Sequence, residues 1–412
     1  MRALVLFCCL TPLNLQAHYI PSSDTPLTVN ASLVATYHSE NQIDEYAYWQ
    51  IPGTMMGGDA WPVEEGLQLD EVKLGLAVRA DEQIYAIFEA GTHASGSDDH
   101  QGVSLEHAYL GYVCCQQDGP WVMEAGRMSA LFSPDLSQHA SERLTSEASL
   151  MSDVFFGRNF HDEGIRFMWH TETWIAGAEG WKGKAFPATA SGTNAWDVFA
   201  RYSVKTGNIR VSAGLWWYQS SAESRIDHRY GGGHQHTPVG PPGTTISPFP
   251  DTRFTGDTDI YGLHAELVYP GEQNIWKAGI KTELMDMQAA GQLQDDLGRV
   301  ADVEARQMGL SIQPYVSWRE HTFGLRAEWL STDNQVTGAA ANQLSGDAGL
   351  GNPEGFEPAK YTAIWKWQFR RNLALRTELI QDESLPDEQF RFAFGVIWQQ
   401  TLWPFNGAGH SH

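Results

Sequence analysis

The chain has 412 residues, with 50 Asp and Glu against 27 Lys and Arg. The formal charge of −23 argues against a nucleic-acid binder, whose affinity comes mainly from Lys and Arg on phosphates. A mean hydropathy of −0.35 argues against a helical membrane protein, and no mature stretch reaches the ~20 consecutive apolar residues that a spanning helix needs.

Residues 1–17 read as a secretory signal peptide: Arg2, a short apolar core over 3–10, and cleavage after Ala17. Its removal leaves Cys114 and Cys115, which form either a vicinal disulfide or two turn thiols and are given no role. From residue 27 on, apolar and polar residues alternate with a period of two in segment after segment. The first, 27–37, sets Leu27, Val29, Ala31, Leu33 and Tyr37 on one face. Segments 72–80, 83–91, 103–113 and 121–126 follow. In 164–170, Ile165, Phe167 and Trp169 alternate with Arg166, Met168 and His170. The rest are 173–180, 196–205, 209–219, 259–269, 275–281, 307–318, 323–330, 361–369, 373–379 and 390–398. The count is sixteen, an even number as bacterial barrels require, with fourteen or eighteen as alternative parsings.

The links alternate as well. Those after even-numbered segments are short, as at 81–82, 171–172 and 206–207, and those after odd-numbered ones are mostly long, as at 38–71, 127–162, 220–258, 282–306 and 331–360. This predicts an all-β, transmembrane antiparallel β-barrel over 18–412, with short periplasmic turns, long extracellular loops and a His-containing tail at 404–412.

Several motifs over 103–170 carry a resemblance. SLEHAYLGY (104–112) and Glu124-Ala125-Gly126-Arg127 resemble the strand–turn–strand of the phosphate-selective porin O/P type of outer-membrane porin. Ser141-Glu142-Arg143, VFFGRN (154–159) and DEGIR (162–166) resemble its third loop and the strand after it. The resemblance implies a sixteen-stranded, trimeric, passive pore whose third loop narrows the bore. Phosphate selectivity is not carried over, because this chain is strongly acidic.

The inward positions predict a charged bore. Arg166, Arg201, Arg210, Lys277, Lys281, Arg326, Lys366, Arg376 and Arg391 alternate with apolar residues, and Glu124, Glu266, Glu328 and Glu378 share their face. Such charges either guide solutes or pair to keep the wall rigid. The third loop, 127–162, carries Asp135, His139, Glu142, Arg143 and Arg158, and 142–150 could form a helical turn or two. The resemblance favours folding inward over capping the outside. Acidic residues concentrate in the other long loops, among them Glu283, Asp286, Asp302 and Glu304, as an acidic mouth.

His228, His234 and His236 lie in 227–236, where they could hold a divalent metal weakly or be plain solvated side chains. No cofactor is otherwise expected. No motif unites a nucleophile with a base, so no enzyme is expected. The function expected is a porin of the bacterial outer membrane for small polar or charged solutes, cations and divalent metal included. Its expected partners are further copies in a homotrimer, lipid and lipopolysaccharide. The alternative is a surface metal-binding or adhesive barrel without a conducting pore.

Overall fold

The computed structural model describes residues 26–43, 49–93, 103–114, 120–229, 252–271, 275–352 and 355–403. The first strands are β1 (Leu27–His38), β2 (Gly66–Arg79), β3 (Ile84–His93), β4 (Ser104–Cys114) and β5 (Trp121–Ser129). Helix α1 (Leu150–Phe156) precedes β6 (His161–His170), β7 (Trp174–Trp181), β8 (Ala195–Thr206) and β9 (Ile209–Arg225). The tall strands β10 (Arg253–Pro270), β11 (Trp276–Gln294), β12 (Val300–Trp318) and β13 (His321–Thr337) come next. Helix α2 (Ala341–Asp347), β14 (Ala359–Arg370), β15 (Leu373–Glu383) and β16 (Gln389–Trp403) complete the chain.

Every strand pairs antiparallel with its sequence neighbours, and β1 also pairs with β16, so the sixteen strands close on themselves. Closure removes the sheet edges, which is what lets a β-structure cross lipid with its backbone groups satisfied. The outer face is apolar: Leu74, Leu110, Leu215, Leu263, Leu325 and Phe392 are all exposed. At the short-turn end, Tyr112 and Trp121, Trp174 and Tyr202, Tyr269 and Trp276, and Trp367 and Phe369 pack ring on ring. A ring of aromatic residues at the lipid–water boundary is expected of a membrane barrel.

The strands are longer than the alternation predicted. β11 runs to Gln294 and β12 starts at Val300, so the long link expected at 282–306 is only a turn at 295–299. Glu283, Asp286, Asp302 and Glu304 therefore sit on strands and not in a loop. Above the membrane a strand needs no apolar outer face, so the lipid-facing pattern that marks strands in the sequence gives way to its inverse, with Ala289, Leu293, Ala301 and Val303 buried inside while the hydrogen-bonded wall continues. Cys114, at the end of β4, is disulfide-bonded. The expected signal peptide at 1–17, Cys115 and the tail at 404–412 lie outside the described residues.

Two register shifts re-aim side chains. Val34 lies opposite Glu71 and Ala35 opposite Leu69, which leaves Asp70 as an extra residue on β2. Likewise Glu89 faces His107 and Ala90 faces Leu105, leaving Glu106 extra on β4. A bulge of this kind puts two successive side chains on one side of the sheet. Asp70 and Glu71 accordingly both bond inward-facing residues of β1, Thr36 and Ser32.

Candidate functional site: the loop that crosses the bore

The link between β5 and β6, residues 130–160, does not cap the barrel. It enters and crosses it. Near its start, Leu131 donates its N–H to Glu179 of β7 at 3.2 Å and its carbonyl accepts from Arg201 of β8 at 3.1 Å. Ser133 then donates to Glu283 of β11 at 2.7 Å. The middle of the loop reaches the opposite wall. Ser141 donates its hydroxyl to Glu71 of β2 at 2.8 Å, and Ser146 its hydroxyl to Glu378 of β15 at 2.8 Å. The Leu150 N–H donates to Glu328 of β13 at 3.0 Å.

The cations of that wall take the loop's carbonyls. Arg376 donates to the Thr145 carbonyl at 2.9 Å, and Arg326 to the Thr145 hydroxyl at 2.7 Å. Arg326 and Lys360 also reach the Ala148 carbonyl, at 3.2 and 3.3 Å. A buried backbone group must find a partner somewhere. Here the wall supplies it: one turn closes where the Arg143 N–H meets the His139 carbonyl at 3.1 Å, and over 144–149 the helix expected is displaced. Helix α1 begins only after Ser149, whose side chain caps it by accepting the Ser152 N–H at 3.1 Å.

Ion pairs fasten the crossing. Glu147 lies 2.7 Å from Arg391 of β16 and 3.4 Å from Lys360 of β14. Arg391 also meets Asp382 at 2.6 Å. Arg326 pairs with Glu328 and Arg376 with Glu378, each at 3.0 Å. Across the bore Arg166 sits between Glu124, at 2.8 Å, and Glu179. Burial works to raise the Glu147 carboxyl, but the charges of Arg391 and Lys360 win and hold it well below the usual carboxylate range. Asp135 is lowered in the same way: burial is outweighed by Arg143 and by hydrogen bonds from Ser149 and Ser152.

A second loop, between β1 and β2, packs behind the first. The Asp59 N–H donates to the Gly157 carbonyl at 2.8 Å, and Arg158 donates to the Trp61 carbonyl at 2.6 Å while pairing with Asp153. Trp49, Ile51 and Met56 of this loop join Phe132, Phe155, Phe156 and Phe160 of the crossing loop in one apolar cluster. The inward side chains Phe199, Trp216, Tyr218 and Met285 of the wall complete it. The side of the bore opposite the Glu147 latch is thus largely aromatic, with the Arg166 ion cluster set beside Trp181.

The sequence-predicted bore residues separate into two groups. Arg166, Arg326, Arg376, Arg391, Glu124, Glu328 and Glu378 are buried under the loop, none more than 4% exposed. Arg210 is exposed, and Lys277, Lys281, Glu266 and Lys366 are partly exposed. Of these, Lys277 lies toward the short-turn end within electrostatic reach of Glu266, Lys281 and Arg210. Arg201 is tied to Leu131 as above. Within the loop, Asp135 accepts from Ser149 and Ser152, Glu142 accepts the His139 N–H at 3.2 Å, and Arg143 is buried.

The comparisons with known proteins bear on the fold. No family model matches the chain, and neither does any curated protein. Solved structures do. The high-pH structure of OprB of Pseudomonas putida is 11% identical, with a TM-score of 0.51 over 91% of this chain and 93% of that one. The outer membrane channel DcaP of Acinetobacter baumannii is also 11% identical, with a TM-score of 0.50 over 92% of this chain and 99% of that one. The chain has the fold of outer-membrane barrels. At such low identity the likeness concerns the fold, and the site has to be read from this chain's own residues.

Sequence reading missed Lys360, Glu71 and Glu106 as parts of the site, and placed Glu147 in the third loop without its partners Arg391 and Lys360. Lys360 and Glu71 each lie just before their predicted strands, Glu106 is hidden by a bulge, and Glu147 lies in a loop with no period to place it. The aromatic residues Trp216 and Tyr218 were legible in principle, since they occupy the inward positions of predicted segment 209–219. His228 is exposed, whereas His234 and His236 lie outside the described residues. Among the described residues, the group whose donor atoms converge as metal ligands would is Glu89, His107 and His139.

Proposed function

We propose that the chain is a porin of the bacterial outer membrane, a passive channel for small polar or charged solutes. The observation that carries this reading is the loop 130–160, which crosses a closed sixteen-stranded barrel and is fastened to the far wall by Glu147 on Arg391. A wall of this size otherwise encloses an aqueous channel. A loop held across it narrows the passage and puts fixed charge and aromatic surface beside whatever passes. The resemblance of residues 103–170 to the phosphate-selective porin O/P type supports the same reading. We do not extend it to phosphate: 50 acidic residues against 27 basic ones favour cations, divalent metal among them, at the outer mouth. The reading is of a channel without catalysis.

We further propose a homotrimer. The wall is low over β4 to β7, strands of 8 to 11 residues, and high over β10 to β13, strands of 17 to 19. The low side suits contact with other copies, and the high side suits lipid and lipopolysaccharide.

Single-channel conductance in a planar bilayer under a salt gradient tests the reading. Stable steps with a cation-selective reversal potential are expected. The apolar cluster around Phe132 favours a second reading, a closed-bore barrel that binds metal or adheres at the surface. Correctly folded protein that gives no steps would sink the porin and promote that reading.

A further inference from the structure

The two bulges and the crossing loop bring together side chains that are far apart in the sequence. On β3, Glu89 faces inward. On β4, the bulge turns both Glu106 and His107 inward. The crossing loop lowers His139 onto them. Glu89, His107 and His139 each offer one donor atom, and these atoms all lie within 4.8 Å of one another. We propose that Glu89, His107 and His139 form a binding site for a first-row divalent transition ion of the zinc class, tying the crossing loop to the barrel wall.

The distances suit such an ion. At zinc–nitrogen lengths of about 2.0–2.1 Å, tetrahedral donors sit roughly 3.4 Å apart. His139 Nε2 is 3.6 Å from Glu89 Oε2. His107 Nδ1 is 2.5 Å from the same oxygen, a hydrogen-bond distance that must open as the ion enters. The second nitrogens are held in the manner of metal-binding imidazoles, whose far side usually meets an oxygen. His107 Nε2 lies 2.6 Å from the Ser129 hydroxyl, and His139 Nδ1 lies 3.5 Å from the carboxylate of Glu106. Two imidazoles with one carboxylate favour zinc, copper or nickel over calcium and magnesium, which prefer all-oxygen shells. Three protein donors leave the fourth place of a tetrahedral shell to water or a solute. Lys73, 3.8 Å from Glu89, is the cation that the metal displaces from that carboxylate.

The site is independent of whether the bore conducts, and its test does not read conductance. Full-length protein in detergent would be dialysed against zinc and counted, then loaded with cobalt(II) and its visible absorption recorded. One zinc equivalent and a cobalt band should be lost in His139→Ala and in His107→Ala. Both should persist when His228, His234 and His236 are replaced together. Glu106→Gln should weaken binding about 10–100-fold, the usual cost of removing the oxygen behind a ligating imidazole. His139 lies in the loop and not in the wall, so its variant keeps the barrel, which heat-dependent gel mobility confirms, and it decides the matter if His107→Ala does not fold. Unchanged stoichiometry and spectrum in His139→Ala would overturn the site, as would loss of all binding with the three loop histidines.

Discussion

Glu147 of the crossing loop and Arg391 of β16 lie 2.7 Å apart and 244 positions apart in the chain. The pair joins the middle of the loop to the last strand, beside the seam where β16 closes on β1. Glu147→Gln removes the charge that balances Arg391 and Lys360. Breaking a buried pair from one side costs about 3–5 kcal/mol, because it leaves a buried charge without its partner. Asp382 stays 2.6 Å from Arg391 and keeps the cost at the lower end. The loop should detach more often, and single-channel records should show larger, noisier steps than wild type. Records identical to wild type would mean that the pair does not hold the loop.

The same carboxylate sets the pH response of the loop. Its pKa in the folded protein is depressed below its value in the unfolded chain by Arg391 and Lys360. A depressed carboxylate contributes stability that is present above the unfolded pKa and is lost as pH falls through the folded one. The latch should therefore survive at pH 4.5, where exposed carboxylates have begun to take up protons. Limited proteolysis at pH 7 and at pH 4.5, with a protease active at both, should show the loop equally protected. Cleavage within 130–160 that appears already at pH 5 would contradict this.

The barrel was legible because lipid on one side and charge on the other impose a period of two on every strand, as in 323–330 and 390–398. Where that constraint lapses, the sequence signal lapses with it. β11 and β12 continue as ELMDMQAAGQLQ and VADVEARQ with the polarity inverted: Met285, Met287, Ala289, Leu293, Ala301, Val303 and Ala305 are buried inside and the polar residues face mostly outward, so their outer halves read as loop. Bulges cost one residue of phase, which is why Asp70 and Glu106 were not placed inside. The inward fold of the loop came only from resemblance. Its helix was displaced because Arg326, Arg376 and Lys360 claim the carbonyls of Thr145, Glu147 and Ala148, a long-range effect that no local propensity carries.

The two inner loops meet at Gly157, which ends α1 in the left-handed region with φ of 61°. A Cβ there would lie 2.6 Å from the Gly57 carbonyl oxygen and 2.8 Å from the Gly58 Cα, both of them backbone. Gly157→Ala thus adds a clash to the roughly 1–2 kcal/mol that a left-handed residue costs. The first loop should separate from the crossing loop, and protease should cut within 49–65 in the variant while the barrel stays intact. A variant as resistant as wild type would show that the loops do not depend on this approach.

Selectivity should divide between the two ends of the passage. Toward the short-turn end, Lys277 is within electrostatic reach of Arg210 and Lys281, with Glu266 as its counter-charge. These side chains remain at least partly exposed, whereas Arg326, Arg376 and Arg391 are spent on the loop. Charges lining a narrow, low-dielectric passage focus the field on passing ions. Replacing Lys277 and Lys281 by Glu should then lower anion permeability by about tenfold, the low end of what focused charge achieves. The reversal potential under a salt gradient should move toward the cation limit, more so at low ionic strength, where screening is weaker. A reversal potential that stays in place at every salt concentration would show that ions do not pass these lysines.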